Sequence, residues 1–326
     1  MASATLRPLL DHRLIVVTGK GGTGKTTVSA AIALAAAQRG RRVMVIEVGR
    51  DTLIPDLIAP GHGPVGYAGS ELSPGLHAMR VDPFEALAEY LGIQLGVPTL
   101  VKKVLGFEGF RQLMDASPGW RELITLGKVW HLEQMQEDGV PRFDLLVVDA
   151  PATGHGVTFL DVPRVVVSAV RAGPLREHTE RVEALIEDPT RTLLLPVALA
   201  EELPTRETVE LVEEARSRLS IHVDRVVINA MHPAPFREDL SALPAWLRAI
   251  PPDTDLGGLP DPNTLAFCAE HLAARHALNE RYADEIERGT KLPSLRLPYL
   301  PAGTRAGTRG PHPLAALAPA LLGDGA

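Results

Sequence analysis

The run Gly19-Lys20-Gly21-Gly22-Thr23-Gly24-Lys25-Thr26-Thr27 constrains this chain most, because an apolar stretch, Leu14 to Val17, precedes it and an alanine-rich, helix-favouring segment follows. Strand, glycine-rich turn and helix in that order gather backbone N–H groups and a helix N-terminus around one point, which suits the negative charge of a phosphate chain. Side chains larger than glycine would block that approach. Lys25 supplies a mobile cation for the outer phosphates, Thr23 and Thr27 complete the cradle, and the Thr26 hydroxyl is placed to ligate a bridging magnesium. The pattern predicts binding of a nucleotide with Mg2+. Gly19-x-Gly21-x-x-Gly24 also fits the dinucleotide fingerprint, with Glu47 as the ribose acid at the end of the next apolar run. Lys25-Thr26 opposes that reading.

A second motif opposes it too. Phe143 to Val148 is an apolar strand that ends in Asp149, a carboxylate of the kind that holds a magnesium shell, and Ala150-Pro151-Ala152-Thr153-Gly154-His155 follows as a loop able to sense an outer phosphate. Between the two motifs, Val43 to Ile46 gives another buried parallel strand and completes a strand-helix-strand unit. Residues 60–75, rich in glycine and proline, read as a mobile loop, and Leu76 to Val81 as a short strand. From Pro83 to Gln136 the pattern is helical in short pieces, an insert whose apolar residues would form its own core or a client surface. Val165 to Ser168 favours strand by propensity. Further on come a buried strand at 193–199, an amphipathic helix after Glu201, a strand 226–229 ending in Asn229, a long helix from about Asn263 to Arg288 and a last strand at 293–300. The expected fold is α/β: a doubly wound, mostly parallel sheet with a helical insert. The expected organisation is an extension at 1–12, one domain at 13–301 with its insert at 83–136, and a loosely held tail at 302–326.

Composition narrows the classes. The 326 residues carry a net charge of −7, without the basic excess of a nucleic-acid binder. Residues 1–12 lack the apolar core of a secretory signal, and the longest apolar run, Val28 to Ala37, is too short to span a bilayer, so a cytoplasmic protein is expected, with at most a peripheral membrane partner. Cys268 is the single cysteine, which rules out a disulfide or a thiolate zinc cage within one chain.

Lys20, directly after the first glycine, is not required by a general phosphate loop. With it, the loop resembles the deviant form found in the ATPase class of nitrogenase iron protein, the septum-site and partition ATPases, and the arsenite-pump and tail-anchored-protein-targeting ATPases. Asp149 to His155, then Phe159-Leu160-x-x-Pro163, is similar to the switch II segment of the last two, although Ala150-Pro151-Ala152 replaces their Thr-Ala-Pro. The resemblance runs from Leu14 to about Leu300. It implies the P-loop NTPase fold, ATP hydrolysis with Mg2+, and a homodimer or paralogous heterodimer in which Lys20 reaches the partner's ATP. It also implies a client protein, adenine contacts from Asn229 and from a loop near Pro298, and helix rather than strand at 165–168. Two rivals stay open: a degenerate, very slow ATPase serving as a nucleotide-bound scaffold, and a partition-like or septum-site-like ATPase. The family's paired Cys-x-x-Cys is missing, so no zinc is expected, and one cysteine builds no arsenite site. Switch I departs as well. Where the family places a water-positioning Asp, an ungapped comparison places Gly49, with Asp51 as substitute if the loop shifts and Glu47 if the strand ends early.

Overall fold

Apolar strands that alternate in the direction of their side chains, and are apolar on both faces, require cover on both sides. In the computed structural model, which describes residues 6–49, 52–95, 112, 119–151, 158–236, 242–301, 303–304 and 312–323, they form the middle of an eight-stranded sheet. The strands are β1 (Leu14–Thr18), β2 (Val43–Val48), β3 (Ser70–Ser73), β4 (Leu76–Val81), β7 (Leu145–Asp149), β8 (Thr192–Leu199), β9 (Val226–Met231) and β10 (Ser294–Pro298). A two-residue ladder, β5 (Gln136–Glu137) with β6 (Val140–Pro141), stands apart. The sheet order is β10-β9-β8-β1-β7-β2-β4-β3, and every pairing is parallel except β3 with β4. This is the doubly wound α/β sheet expected from the sequence.

Alternation sorts the strand side chains into two core layers. Ile15, Val17, Val45, Val147 and Leu195 face one layer with helix α1 (Lys25–Gln38), whereas Val16, Ile46, Val148 and Leu194 face the other. The second layer receives α4 (Trp120–Gln134), α5 (Thr158–Ala169), α6 (Pro174–Glu187), α7 (Glu202–Arg218) and α9 (Pro262–Thr290). The long α9 starts at an N-cap, Asp261, whose carboxylate accepts from the backbone N–H groups of Asn263 and Thr264 at 3.0 and 3.1 Å. Residues 165–168 lie inside α5, as the resemblance implied and against their β propensity, since Phe159 and Leu160 bury the helix's first turn. Short helices α2 (Ile54–Ile58) and α8 (Leu243–Arg248) fill connections.

Several expectations are corrected. The 60–75 stretch is not wholly loop: Ser70–Ser73 forms β3, a short polar edge strand with little hydrophobic signal to betray it. Of the insert expected at 83–136, residues 96–111 and 113–118 lie outside the described residues; α3 (Pro83–Leu95) and the start of α4 share a small core around Leu87 and Trp120, while Leu126, Val129 and Leu132 of α4 join the layer beneath the sheet. Within the N-terminal extension, Leu9 and Leu10 are buried, and Arg225 donates to the Arg7 carbonyl. Nor is the whole tail loose. A 3-10 turn, Pro313–Leu317, and α10 (Ala318–Leu322) bury Leu314, Leu317 and Leu321 in the layer that holds α1. The physical reason is α1 itself. Its residues Val28 to Ala36 are buried all round, so a helix with no polar face needs cover opposite the sheet.

Candidate functional site

The loop between β1 and α1 lies at the C-terminal edge of the sheet, where β1 meets β7 and β8, the position at which open α/β sheets bind ligands. Its glycines hold conformations that other residues resist: Gly19, Gly22 and Gly24 have φ of +143°, +84° and +88°. At Gly19 a Cβ would run into the Val197 carbonyl of β8, and at Gly24 into the Asn229 amide of β9. The neighbouring strands thus enforce the turn. Gly24 is the N-cap of α1, so the first N–H groups of the helix have no intrahelical partner and face the loop's concavity.

Lys25, 7% exposed, folds back to donate from Nζ to the Lys20 carbonyl at 2.9 Å. Burial lowers its pKa, with the Asp149 carboxylate opposing. Beside it, the Thr26 hydroxyl donates to Asp149 Oδ2 at 2.7 Å and the Ser29 hydroxyl to Oδ1 at 3.3 Å. Burial raises the Asp149 pKa, and Thr26, Lys25 and Ser29 draw it back down. Asp149 reaches this place because β7 pairs with β1 on one side and β2 on the other, in register with Val17 and Glu47. Thr26 and Asp149, which the sequence set 123 residues apart, are therefore one unit. Among the described residues there is no group of three or more metal-ligating side chains. The hydroxyl-carboxylate pair nonetheless suits Mg2+, which keeps water and phosphate oxygens as most of its ligands.

Asn229 is also brought to the loop, where its Nδ2 donates to the Thr23 carbonyl at 2.9 Å. Ala230, next in the strand, holds φ +55°, a strained value for a residue with a Cβ. Pro298 ends β10 in register with Met231, and Tyr299 beyond it stacks on His232 at 4.8 Å. Gly21 and Thr27 lie in the turn and first helical turn, as their positions demand.

Lys20 is engaged differently. Its Nζ lies 2.6 Å from Glu207 of α7, with the lysine side chain 45% exposed. Sequence reasoning missed Glu207 because nothing local links it to the loop. It missed Ser29 too, although Ser29 follows Thr26 by three residues and shares its helix face.

On the switch I side, β2 runs through Val48, so the strand does not end early at Glu47. Glu47 is buried within it, and Oε1 accepts from the N–H groups of Leu53 and Ile54 at 2.7 and 3.0 Å. Burial raises its pKa, those two N–H groups lowering it again. An acid engaged in this way is not presented for a ribose, which weighs against the dinucleotide reading. Gly49, just past the strand, has φ +155° and open space where a side chain would be. Asp51, and Ala152, Thr153, Gly154 and His155 of the expected switch II, lie outside the described residues.

Residues 12–173 match the family model described as anion-transporting ATPase. The chain is similar to the ATPase BagA of Mycobacterium tuberculosis, 30% identical over 319 residues that cover 91% of this chain and 90% of the relative. It is also similar to the ATPase GET3 of Eremothecium gossypii, at 25% identity over 70% of this chain and 75% of that protein. The arsenical pump-driving ATPase of Acidiphilium multivorum is 26% identical over 73% of this chain and 45% of its own length.

Proposed function

Because the chain belongs to the anion-transporting ATPase family, we propose that it is a MgATP-hydrolysing dimeric switch that couples nucleotide state to a client or partner protein. The observation that carries this reading is the Thr26–Asp149 contact beside Lys25, at the mouth of a loop that also bears Lys20. Bound magnesium would neutralise charge on the outer phosphates, with Thr26 as ligand and Asp149 behind its hydration shell. Lys25, released from the Lys20 carbonyl, would bind the β- and γ-phosphates, and the N–H groups at the start of α1 would orient them. Asn229 would exchange the Thr23 carbonyl for the adenine, with the chain near Pro298 flanking it. Lys20 would leave Glu207 and reach the partner subunit's nucleotide, as the family's extra lysine does. A γ-phosphate-dependent closure of this kind has the general form of an order switch.

One observation favours slow turnover. Gly49 offers no carboxylate where the family's water-positioning Asp falls, and Glu47 is committed to the backbone of α2. Residues 312–323 contain no lysine or arginine and bury Leu314, Leu317 and Leu321, so this segment does not supply the basic amphipathic helix that the partition-like alternative would use. No helix among the described residues is long and apolar enough to cross a membrane. Phosphate release by the wild type, Lys25→Ala and Asp51→Asn tests the chemistry. The reading expects slow Lys25-dependent turnover that Asp51→Asn reduces at least about tenfold if Asp51 holds the water. Turnover unaffected by Lys25→Ala would contradict it.

A further inference from the structure

A second cavity, of about 240 Å³, opens among α3, α4 and α6, away from the phosphate loop. Gly127 shapes one of its walls. A Cβ there would meet His178 Nε2 at 2.8 Å, so glycine lets the imidazole lie against the backbone of α4. His178 in turn bears on Tyr90 at 4.8 Å and Trp130 at 5.1 Å, ring centroid to ring centroid. Ala86, Ile93 and Ile124 supply the remaining apolar wall. A site of this volume admits a molecule of one or two rings rather than a length of peptide, and its flat walls suit an aromatic body.

Charge gives the cavity a sign. Glu89, the acid in its lining, is already engaged: Lys128 Nζ lies 2.6 Å away, the Tyr67 hydroxyl donates to the same carboxylate, and His131 stands at 3.7 Å. Those contacts hold the Glu89 carboxyl below its usual range despite burial, so Lys128 and Glu89 cancel. Burial lowers the pKa of His131 and His178, which leaves both imidazoles neutral at pH 7. Arg181, exposed at the rim, has no ion-paired carboxylate among the described residues. The net charge offered to a ligand is therefore one guanidinium beside hydrogen-bonding imidazoles and aromatic faces.

We propose that this cavity binds a small aromatic carboxylate, its ring between Tyr90, Trp130 and Ile124 and its carboxylate on Arg181. The site is independent of the nucleotide reading, since none of its residues belongs to the phosphate loop or to Asp149.

Calorimetric titration of the nucleotide-free full chain with benzoate, phenylacetate and indole-3-acetate, each against its uncharged amide, tests this. At least one acid is expected to bind, with its amide about tenfold to a hundredfold weaker, the range set by loss of a charge-assisted hydrogen bond. Arg181→Ala should weaken the acid to the level of the amide. Ile93→Glu, at a position 63% exposed and so safe for folding, should weaken it by like charge at the rim. Absence of binding by all three acids, equal affinity for acid and amide, or affinity unchanged in Arg181→Ala would overturn the proposal.

Discussion

Lys25 illustrates how one residue carries both structure and chemistry in this site. Its ammonium is nearly buried, its pKa is lowered by that burial, and among the described residues Asp149 is the carboxylate that opposes the shift. A nucleotide's outer phosphates supply what the pocket lacks. Lys25→Ala is therefore expected to weaken MgATP binding by about a hundredfold or more, since several charge-assisted bonds go at once. Titration calorimetry checks it, and undiminished affinity would remove the phosphate-loop assignment. A residue far from the loop governs acid stability instead. His12 is 1% exposed, neither ring nitrogen has a hydrogen-bond partner, and burial, helped by Arg7, lowers its pKa to about 4. The unfolded chain takes up that proton near the ordinary 6.5, so the native state holds fewer protons between the two values and loses stability as pH falls from 6.5 to 4. Discounted for solvent screening, the loss is about 2 kcal/mol. Urea unfolding across that window should show the loss in wild type and a smaller slope in His12→Phe. Identical slopes would contradict it.

At the scale of elements, the apolar strands and the loop were legible because their signals are local, namely apolar runs of strand length, a glycine pattern and a carboxylate at a strand end, whereas the short polar strand β3 had no such signal. Helix α5 was legible only through resemblance, since its valines favour strand and tertiary packing decides otherwise. The partners Glu207 and Val197, like the placing of Asn229 on Thr23, come from strand order and helix docking, which no local spacing encodes. The closing segment was misread for a related reason. Leu314, Leu317 and Leu321 sit at helical spacing, but the proline, glycine and alanine around them hide it, and the need for cover belongs to α1, nearly 280 residues earlier. Ending the chain before Pro313 would remove those three leucines and bare the face of α1 that they cover; at about 1.5–3 kcal/mol of burial for each leucine, a loss on the order of 5 kcal/mol is expected. A shift of the urea midpoint measures it. An unchanged midpoint would show that α1 needs no such cover.

At the scale of the molecule, the site is half of a larger arrangement in the proposed account. Lys20 is held on Glu207 in the single chain, where it serves no phosphate of its own loop, and both side chains keep contact with solvent. An exposed pair of this kind is worth about 1 kcal/mol or less, so the exchange of Glu207 for a partner's phosphates costs little. The measurement that tests the account most directly is the mass in solution by light scattering, for wild type and Lys20→Ala, with Mg2+ and either ADP or a non-hydrolysable ATP analogue. The account predicts that the analogue, and not ADP, shifts wild type to the dimer, and that Lys20→Ala binds the analogue yet stays monomeric or dimerises at least about tenfold more weakly. A wild-type chain that binds the analogue and shows no shift in mass, or a Lys20→Ala chain that dimerises as readily, would contradict it.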